Sequence, residues 1–90
     1  MLTLEEVKDY LRVDDDYENS LIIRLIEISQ ALCLDIIRQD SQGSLENYPQ
    51  ARLALLYTVA YLYEHREEAD YRELTLTLRA ILFGVRQEEF

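Results

Sequence analysis

Asp14, Asp16 and Glu18 stand at the 1-3-5 spacing of the first oxygen ligands in a calcium-binding EF-hand loop. The match stops there. The sixth loop position takes glycine for a sharp turn and is Asn19, and the twelfth takes a bidentate glutamate and is Leu25. The acidic run therefore reads as capping: Asp15, with Glu18 three residues on, places negative charge where a helix N-terminus favours it. His65 is the only histidine. Its surroundings, Tyr63-Glu64-His65-Arg66-Glu67-Glu68, hold no second His or Cys to share a metal, and Leu62 breaks any Glu-x-x-His pattern. A solvated or hydrogen-bonded structural role is expected for it. Cys33, the only cysteine, falls on an apolar helical stripe with no local histidine to activate it, so it reads as a small buried hydrophobe. Of the seven tyrosines, Tyr57, Tyr61 and Tyr63 crowd one segment. Base stacking would want interleaved cations, and that segment offers only Arg52 and Arg66. No phosphate-cradling glycine loop, nucleophile elbow or zinc-cysteine cluster occurs. The sequence predicts no active site, no metal and no cofactor.

The elements that must position these residues all read as helix. Thr3 and Glu6 form a capping box, and Leu4, Val7 and Leu11 then share a face, predicting a first helix over Leu4 to Leu11. A second helix is predicted from Tyr17 to Arg38. It has one stripe of Leu21, Leu25, Ile28 and Leu32, and a neighbouring stripe of Ile22, Ile26, Ser29, Cys33 and Ile36. Asp40 to Asn47 has loop composition. Pro49 suits the first turn of a third helix, predicted to run to Ala69 and apolar nearly all round between Leu53 and Tyr63. In the last segment Leu74, Leu76 and Leu78 alternate with threonines as a strand would. Tyr71, Leu74, Leu78, Ile81, Leu82 and Val85 nevertheless keep helical spacing over too long a stretch for a typical strand, so a fourth helix is expected.

Ninety residues make one small domain, here 1–90, and exclude most enzyme architectures. Eighteen Asp and Glu against nine Lys and Arg give a net charge of −9, which disfavours gripping nucleic acid or anionic lipid through a basic surface. The charge gathers at the ends, since residues 21–60 hold four acids and three bases. A lone cysteine argues against a disulfide-stapled secreted scaffold, and charges in the opening turns argue against a signal peptide. The apolar run from Leu53 to Tyr63 is too short for a bilayer, which needs ~20 residues, so no membrane partner is expected. The fold class expected is all-α, a small bundle of about four helices. Apolar residues exceed what one core face needs: Ile22 and Ile26, Tyr57 and Tyr61, Leu76 with Ala80 and Phe83. Either the bundle buries all of them, or they form a self-association surface, since small domains rarely expose large apolar patches without purpose.

The ordered set of segments resembles a known family. Leu2-Thr3-Leu4-Glu5-Glu6-Val7-Lys8, continuing to Leu11-Arg12-Val13-Asp14, is similar to the N-terminus of head–tail connector proteins of long-tailed bacteriophages, also called head-completion or adaptor proteins. The resemblance runs on through Leu21-Ile22 and Leu25-Ile26. It resumes at Ala54, Val59-Ala60 and Tyr63-Glu64-His65-Arg66-Glu67, and closes near Leu82 and Arg86. No single piece is diagnostic, but their order is specific. This chain has Leu82-Phe83-Gly84-Val85-Arg86 where the family often carries a Leu-x-Pro-Tyr-Arg-like segment. The resemblance implies a non-enzymatic virion protein made in the bacterial host cytoplasm. It would form a homo-oligomeric ring below the portal protein, extend the DNA channel and receive a neck or tail-completion protein, with DNA only as passing cargo. It also implies structural roles for Leu11, Arg12, Tyr63, Glu64, Arg66 and Arg86. A ring needs a different patch for each neighbour, which the surplus stripes would supply. The alternative is a small intracellular helical interaction module, a homodimer unconnected with virions.

Overall fold

Thr3 opens the first helix as its sequence predicts. The Thr3 hydroxyl accepts the Glu6 backbone N–H at 3.2 Å, and the Glu6 carboxylate accepts the Thr3 N–H at 3.1 Å. The computed structural model describes residues 2–40 and 50–87, without the side chains of 39, 40 and 84–87. Its helices are α1 (Leu4–Leu11), α2 (Asn19–Asp40), α3 (Ala51–Glu64) and α4 (Tyr71–Gln87). No strand occurs among the described residues, and the segment with alternating Leu and Thr is helical. The all-α expectation holds.

α1 keeps its expected bounds, whereas described ends of α2 and α3 differ from the sequence reading for local reasons. α1 stops on Arg12, whose φ of 61° and ψ of 46° are left-handed. Arg12 donates its N–H to the Asp9 carbonyl and Val13 donates to Lys8, which is a Schellman closure. The acidic run does not cap α2. The Asp15 carboxylate accepts the Tyr17 N–H at 3.1 Å, folding a tight turn on itself, and Asp16 takes Lys8 Nζ at 2.9 Å and Asn19 Nδ2 at 3.3 Å. α2 consequently starts at Asn19 rather than Tyr17. α3 begins at Ala51, and the expected start at Pro49 lies outside the described residues. It ends at Glu64, not Ala69. Beyond Leu62 the run Glu64 to Glu68 has no apolar side chain to hold against the core, and Asp70 already serves the next helix by accepting the Glu73 N–H at 3.1 Å.

α3 is the central element and packs against α1, α2 and α4. It buries Ala51, Ala54, Leu55, Thr58, Val59 and Leu62. The α2 face turned to it is the second of the two stripes, Ile22, Ile26, Ser29, Cys33 and Ile36, all buried together with Ile37. Small residues decide this choice. Ser29 and Cys33 on α2, with Ala54 and Thr58 on α3, let the two backbones approach, and Cys33 Sγ lies 3.9 Å from Thr58 Oγ1. α4 contributes Leu74, Leu78 and Leu82 at i, i+4 spacing, and α1 contributes Val7. Leu25, Leu55, Val59 and Leu78 are all buried. Arg52 at the start of α3 pairs with Glu6, tying α1 to the bundle.

Candidate assembly surface

The chemistry-bearing residues are spent on structure. Cys33 is fully buried, and desolvation pushes its thiol up to about 11, only partly offset by the Thr58 hydroxyl. Such a thiol stays protonated and unreactive. His65 ends α3, its Nδ1 2.9 Å from the Tyr61 carbonyl and its ring stacked on Tyr61 at 4.2 Å. Among the described residues no three His, Cys, Asp or Glu side chains gather closely enough to hold a metal ion. No helix of the described residues is long and apolar enough to cross a membrane.

Glu18 is the residue that sequence reasoning misplaced. It neither caps nor ligates. Its carboxylate accepts the Tyr63 hydroxyl on one oxygen and Arg66 at 3.1 Å on the other, and the Arg66 guanidinium lies 5.1 Å from the Tyr63 ring centre. The turn between α1 and α2 is thereby fastened to the far end of α3. The Tyr63 hydrogen bond is the largest influence holding the Glu18 carboxyl below its ordinary value, and the same bond raises the Tyr63 phenol. A Tyr and an Arg three residues apart at a helix end, both able to donate, were the available signal that a carboxylate elsewhere would meet them.

The expected interface residues divide sharply. Ile22 and Ile26 belong to the core, because the α2 face carrying Ser29 and Cys33 is the one that α3 covers. Phe83 is also buried, where its ring gains more contact than solvent would allow. Tyr57 and Tyr61 are half-buried, their rings stacked 6.3 Å apart along α3, and the Tyr61 hydroxyl accepts the Asp70 N–H at 2.9 Å. Leu76, at 61% exposure, and the small Ala80 are the surplus residues left exposed. Leu53 on α3 and Tyr17 before α2, neither singled out by spacing, are exposed at 56% and 93%. An open groove of about 260 Å³ runs beside the first half of α2, floored by Leu25, Ile28, Leu62 and Tyr71 and edged by Arg24 and Arg66.

Among the described residues this arrangement offers exposed apolar surface. The family model for the phage gp6-like head-tail connector protein matches residues 1–88. The chain belongs to that family. No curated protein and no solved structure matches significantly. The connector family is a structural one, whose members serve in the phage virion and work against other head and tail proteins. In this connector four of the six motif residues, Leu11, Arg12, Tyr63 and Arg66, make identifiable contacts. Leu11 packs half-buried on the core, Arg12 closes α1, Tyr63 and Arg66 hold Glu18, and Glu64 is the exposed last residue of α3. The Arg86 side chain lies outside those described.

Proposed function

We propose that this chain, as one domain over residues 1–90, is a non-enzymatic neck component of the virion, and that it needs no cofactor. Copies of it assemble into a closed ring below the portal protein, join the DNA-filled head to the neck or tail-completion protein, and lengthen the DNA channel. DNA is cargo there rather than ligand. The observation that carries this reading is the family match across residues 1–88. Two features of the surface support it. Leu53, Leu76 and Tyr17 leave apolar area for neighbours after the core is filled, and a net charge of −9 suits a wall past which phosphates must slide.

The test is assembly. Purified chain mixed with portal rings of its phage should add a second ring of density in electron micrographs, and Leu76→Asp should prevent the addition while leaving the helical circular dichroism intact. Phe83 is unsuitable for such a probe because a buried Asp would unfold the core. A wild-type chain that forms only a two-fold dimer and ignores portals would refute the ring and favour a stand-alone interaction module.

A further inference from the structure

The groove beside α2 is an unusual place in so acidic a protein. Its floor is apolar, and its edge carries two of the nine Lys and Arg residues, Arg24 and Arg66. Arg66 is held by Glu18, whereas the Arg24 guanidinium has no ion-pair partner among the described residues. A fitting occupant presents an apolar side chain to the floor and carboxylates to Arg24. The sequence holds such a segment directly after α4: Glu88-Glu89-Phe90.

That segment cannot serve its own groove. Tyr71, at the start of α4, lines the groove, and the 17-residue helix separates the two by ~25 Å at ~1.5 Å per residue. Residues 88–90 extend at most ~10 Å. The occupant must come from a second copy. We propose that Glu88-Glu89-Phe90 of one copy docks in the α2 groove of the next, with Phe90 on the apolar floor and the glutamates against Arg24. This rests on the ring reading, because a head-to-tail contact between opposite ends of the subunit is heterologous, and it gives a ring where the rotation between copies closes. The other acidic-aromatic segment, Asp14-Asp15-Asp16-Tyr17, lies one helical turn from Leu21 at the groove's own end, and its exchange would give a two-fold dimer.

Sedimentation of the full-length chain tests this, alone and beside portal rings. Phe90→Ala and Arg24→Glu should each weaken self-association at least tenfold with unchanged circular dichroism. Adding Glu88→Arg and Glu89→Arg to the Arg24→Glu chain should restore it. Wild-type-like association by both single variants overturns the groove contact and leaves the ring standing. Loss through Tyr17→Ala, with Phe90→Ala indifferent, overturns it in favour of the two-fold exchange. A wild type that never self-associates removes the ring. A labelled peptide of residues 84–90 titrated onto the full-length chain then judges the groove alone. Binding weakened tenfold by Arg24→Glu supports it, and no binding at millimolar peptide, or binding indifferent to that change, overturns it.

Discussion

The Glu18 carboxylate receives donors from Tyr63 and Arg66, and both favour its charged form. Its folded value lies below the ordinary 4.5, so its contribution to stability is present above that value and fades as pH falls through the lowered one. Tyr63 is shifted upward from 10.0 by the same bond, so its share is present below pH ~10 and is lost as pH rises through the raised value. The fastening between the α1–α2 turn and α3 thus operates from mildly acidic to alkaline pH. Tyr63→Phe should move the Glu18 titration, followed by carboxyl carbon NMR, back toward its ordinary position while Arg66 retains part of the shift. A Glu18 that titrates normally in the wild type would show that the bond does not persist in solution. Arg12 invites a second change. An L-residue in the left-handed region costs ~1–2 kcal/mol, and glycine escapes that cost but gains freedom in the unfolded chain. Arg12→Gly should raise stability by ~0.5–1 kcal/mol in urea unfolding, since the Arg12 side chain is exposed.

Among the elements, α3 sets the packing because every other helix touches it. Leu55 on α3 and Leu78 on α4 are fully buried, and cutting either to Ala should cost ~2–5 kcal/mol. Leu76, half a turn from Leu78 on the same helix, should tolerate Ala within ~0.5 kcal/mol, because its side chain stands in water. Equal losses at 76 and 78 in urea melts would mean that α4 is rotated from the face described. Periodicity made the helices and most of the core legible, since Leu74, Leu78 and Leu82 repeat at one spacing whatever lies opposite. It could not choose between the two stripes of α2. That choice depends on which face admits the α3 backbone, and Ser29 and Cys33 reveal it only when Ala54 and Thr58 are seen across from them. The candidate surface was harder still to read. Ile22, Ile26 and Phe83 looked like surplus because apolarity marks core and interface alike. Leu53 was hidden inside an all-apolar run, and Glu18 was legible only as one acid among several.

At the scale of the molecule, charge bears on the DNA-conduit role we propose. The net charge is −9, and Lys8, Arg52 and Arg66 are each already paired with Asp16, Glu6 and Glu18. A phosphate would have to displace those carboxylates, so little counterion release is available to drive binding. The 22-residue α2 spans ~33 Å at ~1.5 Å per residue, and the acids gather towards both ends of the sequence. A duplex can pass such a surface without being held, which is what the proposed conduit requires. The expected outcome is no measurable association between the purified chain and duplex DNA at ~150 mM salt. Any association in dilute buffer should follow salt with a slope no steeper than about −2, given ~0.9 per phosphate neutralised. Fluorescence anisotropy over a salt series measures both. A submicromolar, steeply salt-dependent complex would mean that Arg24, Arg38 and Arg72 act together as a basic face despite the overall charge, and would overturn the proposed conduit role.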